Sequence, residues 1–311
     1  MLLLDDLFKE YCFEIEVRGY TNRTIKSYRQ SVNRMMIYLQ KTHKITMLDE
    51  IKTKHLKSYF LHLKSKGRKE SYINSIHRTI RSFFRYCEQE EYLTESENPV
   101  NNLSWIKQPN TLIETFNDGE LRGMLNAYDA KTFLNCRNKV IIMALCDLGI
   151  RNFELCSLSS DNVMETTVKI YGKGKKERYI YISPMLKKFM IKYERLKNSY
   201  FRDRVIEYNN YFLSFTGRPL TLEAVERIVK LAGEKAKVRS HIRCSPHTLR
   251  HYFSQKQLEL GADVYSISVL LGHESIDVTK RYLQSIEKQK IVHNAVKTSP
   301  LMNLTKGRTK N

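Results

Sequence analysis

Apolar residues return at three- and four-residue intervals along most of the chain, and this spacing constrains the fold more than any other feature. Leu4, Leu7, Phe8, Tyr11 and Ile15 form one such stripe, with Gly19 as its stop. Thr21 is placed to cap a second. On it Ile25, Tyr28, Val32, Met35, Met36 and Leu39 face one way, while Arg23, Lys26, Arg29 and Arg34 lie largely elsewhere. Two more stripes follow, around Lys54 to Lys66 (Leu56, Tyr59, Phe60, Leu63) and Glu70 to Glu90 (Ile73, Ile76, Ile80, Phe83, Phe84). Such stripes are buried by packing helix on helix, so the front of the chain is expected to be a four-helix domain. With 12 Gly and 6 Pro in 311 residues, disorder, collagen-like repeats and loop-rich architectures are disfavoured.

A chain of this length, 41% hydrophobic, holds enough apolar material for two cores. Between Glu95 and Thr111 lie Pro99 and Pro109 and few apolar residues in register, the signature of a connector. The expected division is a helical domain over 1–105, a linker over 106–114 and a second domain over 115–311. In the second domain Asn117 and Glu120 have capping-box spacing, and an apolar helix runs from Val140 to Leu148 and stops at Gly149. Thr167 to Tyr171 and Arg178 to Ile182 are β-rich runs flanking Gly172-Lys173-Gly174-Lys175-Lys176-Glu177, a hairpin with a lysine-rich turn. The remainder returns to helix. The fold class is therefore mainly α (α+β), with one small antiparallel hairpin. No run of 18 or more apolar residues occurs, and Leu2-Leu3-Leu4 gives way at once to Asp5 and Asp6, so neither a membrane span nor a secretory signal is expected. Six cysteines without a Cys-x-x-Cys pair read as reduced thiols in a cytoplasmic protein.

Fifty-three Lys and Arg against 33 Asp and Glu give a formal charge of +20, which points to a polyanionic partner, nucleic acid first. Both parts share the excess: 19 basic against 13 acidic residues up to Asn110, and 34 against 20 beyond it. Arg23, Lys26, Arg29, Arg78 and Arg81 in front, and Lys175 in the hairpin turn, are the candidate DNA contacts. Any one of them taken alone could equally be a solvated helix charge.

The segment Ser245-Pro246-His247-Thr248-Leu249-Arg250-His251 is the richest in chemistry. Ser at N-cap and Pro at the first position predict a helix start, whose N–H groups and positive dipole end favour phosphate. His247, Arg250 and His251 share one face of it; the alternative is a surface helix with Arg250 in an ion pair. Asp263 caps the next helix, Gly272 ends it and His273 follows directly. Ser275 is placed to cap a further helix carrying Thr279 and Tyr282 one turn apart. A tyrosine hydroxyl becomes a nucleophile only when a base or a positive field removes its proton, and with 19 Tyr in the chain the type alone means little. Arg151, with Asn152 available to cap the next helix, sits just past a buried helix. Its two readings are an arginine held on a rigid scaffold and pointed at a surface, and a structural partner of Glu154. Lys173 at the hairpin tip is either a reaching ammonium or a solvated turn lysine.

Taken together, Gly149-Ile150-Arg151 with Glu154, Gly172-Lys173-Gly174, His247-Thr248-Leu249-Arg250-His251, Leu271-Gly272-His273 and Tyr282 nine residues later resemble the tyrosine recombinases, or phage integrase family. Gly19-Tyr20-Thr21, Thr24 to Arg29, Ile80 to Tyr86 and Asn98-Pro99-Val100 are similar to the family's SAM-like core-binding domain. The resemblance covers roughly Leu7 to Leu283, at the compact, Xer-like size. It departs after the tyrosine, where the family often has Thr-His and this chain has Leu283-Gln284.

The resemblance implies a site-specific recombinase acting in integration and excision, transposon resolution or dimer resolution, needing neither metal, cofactor nor ATP. Tyr282 would attack a DNA phosphate and form a 3′-phosphotyrosine link, with Arg151 and Arg250 on the non-bridging oxygens. Lys173 would protonate the leaving 5′ oxygen, His247 would assist the Tyr282 proton, and His273 would hydrogen-bond the phosphate. Glu154 and Asp161 match positions regarded as structural. The implied partners are double-stranded DNA with inverted-repeat core sites and further copies of the chain, as a tetramer on two sites in the nucleoid. The stretch around Ile286, Ile291, Val292 and Val296 would be a tail helix docking on a neighbour. The rivals are a type IB topoisomerase, a DNA-binding protein without catalysis, and a zinc nuclease using Cys244, His247 and His251.

Overall fold

The computed structural model describes residues 2–109, 113–172, 177–273 and 275–283, and it divides the chain into two compact units, one up to Asn110 and one from Thr111 onward. The first is built on helices α1 (Leu4–Val17), α2 (Asn22–His43), α3 (Thr53–Ser65) and α4 (Glu70–Gln89). The apolar stripes read from the sequence are its core, with Leu7, Ile15, Val32, Met35, Leu39, Leu56, Ile73, Ile80, Phe83 and Phe84 almost fully buried. Gly19 takes a left-handed φ of +69° between α1 and α2, which costs glycine nothing. The Thr21 hydroxyl then accepts from the Thr24 backbone N–H.

The stretch after α4, which the sequence marks by its prolines and few apolar residues in register, packs on the helices before it. Asn98 is buried and its side-chain oxygen accepts from Val100 N, which turns the chain so that Val100 and Leu103 enter the helical core. Asn74 then bonds both the N–H and the carbonyl of Ile106. Turn-forming Asn and Pro dominate the local sequence and hide two core residues.

The second unit opens with α5 (Asp118–Asn126), started by the Asn117–Glu120 capping box. Helix α6 (Phe133–Asp147) starts a full two turns earlier than its apolar run suggests. Thr132 caps it, and the polar first turns are absorbed because buried Arg137 donates to the Leu213 carbonyl. A short α7 (Asn152–Cys156) and a 3-10 turn (Ser160–Asn162) lead to strands β1 (Thr167–Tyr171) and β2 (Glu177–Tyr181). These pair antiparallel with Val168 opposite Ile180 and Ile170 opposite Arg178. Helices α8 (Pro184–Tyr200), α9 (Leu222–Lys235), α10 (Pro246–Glu259), α11 (Val264–Leu271) and α12 (Ile276–Leu283) complete the unit. Its core centres on α6, whose Val140, Ile141, Ile142 and Leu145 are wholly buried. The mainly helical class with, among the described residues, one two-stranded antiparallel sheet is what the sequence pattern indicates. Among the described residues no helix is long and apolar enough to cross a membrane. The six cysteines are free thiols.

Candidate active site

Three arginines from three separate segments meet at one helix end in the second unit. Helix α11 stops at Gly272, which adopts a left-handed φ of +62° and, among the described residues, leaves the last carbonyls of the helix without backbone partners. Arg178 Nε donates to the Leu270 carbonyl at 2.9 Å, Arg250 to that of Leu271 at 2.8 Å, and Arg151 to that of Gly272 at 3.1 Å. Guanidinium groups are well suited here, since they satisfy orphan carbonyls and face the negative end of the helix dipole.

Each arginine is held by its own element. Arg151 is the residue before α7, and its backbone N–H donates to Glu154 Oε2 at 2.8 Å. This differs from the expected role of Asn152 as cap: Asn152 lies inside the helix and donates to the Leu222 carbonyl instead. Arg250, on the first turns of α10, is buried and donates to the Gly149 carbonyl at 2.7 Å. Gly149 has φ +60°, and a Cβ there would come within 2.4 Å of the Phe253 ring, so only glycine fits between α6 and α10. Helix α10 begins as its sequence suggests, with Ser245 accepting from Thr248 N and Pro246 at the first position.

Glu154 is the hub of the cluster. It is buried, accepts from Arg178 through both oxygens at 2.9 and 2.7 Å, and accepts from Arg151 at 3.0 Å. Burial works to raise its carboxyl, but the hydrogen bonds from Arg178 and from the Arg151 backbone, with the two guanidinium charges, hold it below the ordinary carboxylate range. The structural partnership of Arg151 with Glu154 is thus real, and it coexists with exposure: the Arg151 side chain is 43% exposed.

The histidines gather at the same place. His247 and His251, one turn apart, meet edge to face with centroids 4.1 Å apart. His247 is exposed, but the protein around its ring, and then the charges of Arg250, Arg243 and Arg151, hold it below its ordinary value. Burial first, and then His247, Arg250 and His273, bring His251 down to about 4. His273 is likewise brought to about 4, by burial and then by Arg250, Arg151 and Arg178. All three rings are therefore neutral at pH 7 and able to accept a proton or a hydrogen bond. His273 Nδ1 shares a 2.7 Å hydrogen bond with the hydroxyl of fully buried Thr279. Thr279 is on α12, one turn before Tyr282, so this bond ties the helix that carries the tyrosine to the arginine cluster.

The structure therefore brings Arg151, His247, Arg250 and His273 together. Tyr282 lies on α12, within the described backbone. Lys173 and Lys175 lie outside the described residues, as does the expected tail helix beyond Leu283. Sequence reasoning missed Arg178 and the role of Thr279. Arg178 was detectable: it has the same strand parity as buried Ile180 and Ile182, and a charge on the inward face of a strand needs a partner. Asp161 closes a surface turn, held by Asn209 and by Ser159 at 3.4 Å. Among the described residues no group of three His, Cys, Asp or Glu side chains is arranged to hold a metal ion, Cys244, His247 and His251 included.

In the first unit, Arg23, Lys26 and Arg78 are exposed and, among the described residues, carry no ion pair. Arg29 is exposed but already paired with Glu16. Arg81 is half-buried, its guanidinium 6.0 Å above the Trp105 ring.

Residues 115–289 match the phage integrase family, and residues 7–94 match the phage integrase N-terminal SAM-like domain. Tyrosine recombinase XerD of Staphylococcus aureus (strain Mu50 / ATCC 700699) is 28% identical over 290 residues, covering 92% of this chain and 96% of its own. XerH site-specific recombinase bound to palindromic difH substrate, in a post-cleavage complex, has the same fold. Its TM-score is 0.73 at 20% identity, over 89% of this chain and 80% of that one. A lambda integrase tetramer bound to a Holliday junction aligns with a TM-score of 0.69 at 17% identity, over 88% of this chain and 78% of that one.

Proposed function

The chain belongs to the phage integrase family and is a site-specific recombinase, cutting and rejoining DNA strands, and from that premise we propose that Tyr282 makes the cut through a 3′-phosphotyrosine link to duplex DNA with inverted-repeat core sites. The observation that carries this reading is the convergence of Arg151 and Arg250 with three neutral imidazoles at the end of α11, joined through His273 and Thr279 to the helix bearing Tyr282. The Tyr282 oxygen attacks phosphorus, its proton passes to His247, and the bond to the 5′ oxygen breaks with a proton supplied by Lys173. The free 5′ hydroxyl of a partner strand then reverses the step, so the phosphate ester energy is conserved and no ATP is consumed. Arg151 and Arg250 neutralise the charge that builds on the non-bridging oxygens, where fixed guanidinium donors act most strongly. His273 donates to one of those oxygens through Nε2 once Thr279 has fixed its tautomer.

Arg23, Lys26 and Arg78 supply phosphate contacts from the first unit, with Lys175 in the second. Four copies act on two DNA sites, in the cytoplasm and at the nucleoid. Support for the tetramer comes from lambda integrase of the same fold, seen as a tetramer on a Holliday junction. The test is a plasmid with two candidate sites, taken as inverted repeats from the DNA flanking the gene, incubated with the protein in EDTA. Recombinant product, resistant to chelator, is expected. Relaxation of supercoils without exchange of partners would instead indicate a topoisomerase, and restoration of activity only by Mg²⁺ or Zn²⁺ would overturn the metal-free mechanism.

A further inference from the structure

Arg178 makes no use of its charge at the surface. Its side chain is 11% exposed, against 43% for Arg151, and its three kinds of nitrogen are spent on the Leu270 carbonyl and on both oxygens of Glu154. Gly272 packs close enough that a Cβ there would come within 3.0 Å of Arg178 Nη1 and 3.2 Å of its Cζ, so the guanidinium has little room to turn.

The charges in this cluster decide what the arrangement does. Glu154 carries one negative charge in a site only 3% exposed, and two guanidiniums face it. Arg178 meets it with a two-pronged fork, the strongest form of this pair, whereas Arg151 meets it with one side-chain bond. One positive charge is left over in the trio, and it resides on the exposed member. Without Arg178, buried Glu154 would have Arg151 as its sole cationic partner in the trio, and a buried carboxylate claims such a partner strongly. The Arg151–Glu154 pair would then be neutral.

We propose that Arg178 is a positioning residue for strand cleavage: as the dedicated counter-ion of Glu154, it keeps the Arg151 charge available to the scissile phosphate. The proposal rests on the reading of Arg151 as a phosphate ligand and adds to it a residue that acts through Glu154 and Arg151, its own nitrogens being committed on the Glu154 side. It also explains why a recombinase would bury a carboxylate beside an arginine meant for an anion. Glu154 orients Arg151 through its backbone N–H and one guanidinium nitrogen, and Arg178 cancels the charge that this orientation introduces.

The experiment is a cleavage-rate measurement on a nicked substrate with the full-length protein as wild type, Arg178→Met, Glu154→Gln and the double variant, alongside DNA affinity and thermal melting. Arg178→Met should slow cleavage by about tenfold or more while affinity stays within about threefold, since one phosphate ligand is weakened at the reacting centre and the rest of the interface is untouched. Adding Glu154→Gln should recover most of that loss, because no buried negative charge remains to draw Arg151 away. A double variant no faster than Arg178→Met would overturn the proposal, as would a single variant that cleaves at the wild-type rate. A role confined to anchoring the hairpin predicts no such recovery. If Arg178→Met melts below the assay temperature, Arg178→Lys with and without Glu154→Gln reads the same coupling, since an ammonium cannot make the two-pronged bond. Failure of the underlying reading is separable: Arg151→Ala cleaving normally would remove the phosphate ligand itself, whatever Arg178 does.

Discussion

Gly149→Ala should be one of the most damaging single-methyl changes in the second unit, and the structure gives its size. Gly149 has φ +60°, a left-handed conformation that costs a residue with a Cβ about 1–2 kcal/mol. The added carbon would also lie 2.4 Å from Cδ1 and 2.8 Å from Cε1 of Phe253, a buried ring in the core between α10 and α11. Relieving that overlap requires the ring or the α6–α10 approach to move by about an ångström, and overpacking of this kind costs about 1–3 kcal/mol. The sum, about 2–5 kcal/mol, corresponds to a fall in melting temperature of about 4–20 °C for a unit of this size. Gly261→Ala is the control. Its φ of +96° imposes backbone strain, but a Cβ there meets nothing within 4 Å. Differential scanning calorimetry on the three proteins should place Gly149→Ala lowest. Because the Gly149 carbonyl holds Arg250, and Phe253 is one turn along the same helix, cleavage should fall even at temperatures where the variant is folded. A Gly149→Ala protein that melts no lower than Gly261→Ala would refute the claim that the close approach to Phe253 matters.

Other expectations follow from the same geometry. Arg151→Ala should slow cleavage by about a hundredfold or more, the scale for removing one charge-stabilising donor from a transition state; single-turnover rates on a nicked substrate measure it, and a loss under threefold would argue against phosphate contact. His251 and His273 stay neutral in the fold down to about 4, while an unfolded histidine protonates near its ordinary 6.5. As pH falls below 6.5 the unfolded chain takes up these protons first, so stability should drop between pH 6.5 and 4, by at most about 1.4 kcal/mol per pH unit for each ring. Urea unfolding at pH 7.5, 6 and 5 tests this, and a flat profile contradicts it. Replacing Arg23, Lys26 and Arg78 together by Ser should reduce the slope of log affinity against log salt by about 0.9 for each phosphate that is no longer neutralised; an unchanged slope would remove the first unit's exposed cations from the DNA interface.

The helical stripes were legible because burial follows a 3.6-residue period directly, as Leu7, Val32, Leu56 and Ile80 show. Caps were legible for the same reason of locality: Thr21, Asn117, Ser245 and Asp263 each bond an N–H three residues on. The start of α6 was not, since the polar turn containing Arg137 is stabilised by a carbonyl 76 residues away, at Leu213. The site shows the same divide. His247, Arg250 and His273 stand out in short motifs, whereas Glu154 as a shared hub depends on Arg178 and Arg151 arriving from different elements. The orphan carbonyls of α11 that organise all three arginines carry no side-chain signature at all.

The proposed chemistry requires that Tyr282 become covalently joined to DNA. A nicked suicide substrate, whose cut releases a short fragment and so prevents rejoining, should trap wild-type protein as an adduct stable to denaturing gel electrophoresis. Digestion and mass spectrometry should then place the nucleotide on the peptide containing Tyr282. Tyr282→Phe should bind the same DNA and give no adduct, because the hydroxyl is the nucleophile and the ring alone cannot attack. An adduct of undiminished yield from Tyr282→Phe, or a nucleotide found on another residue of the wild-type protein, would rule Tyr282 out as the nucleophile.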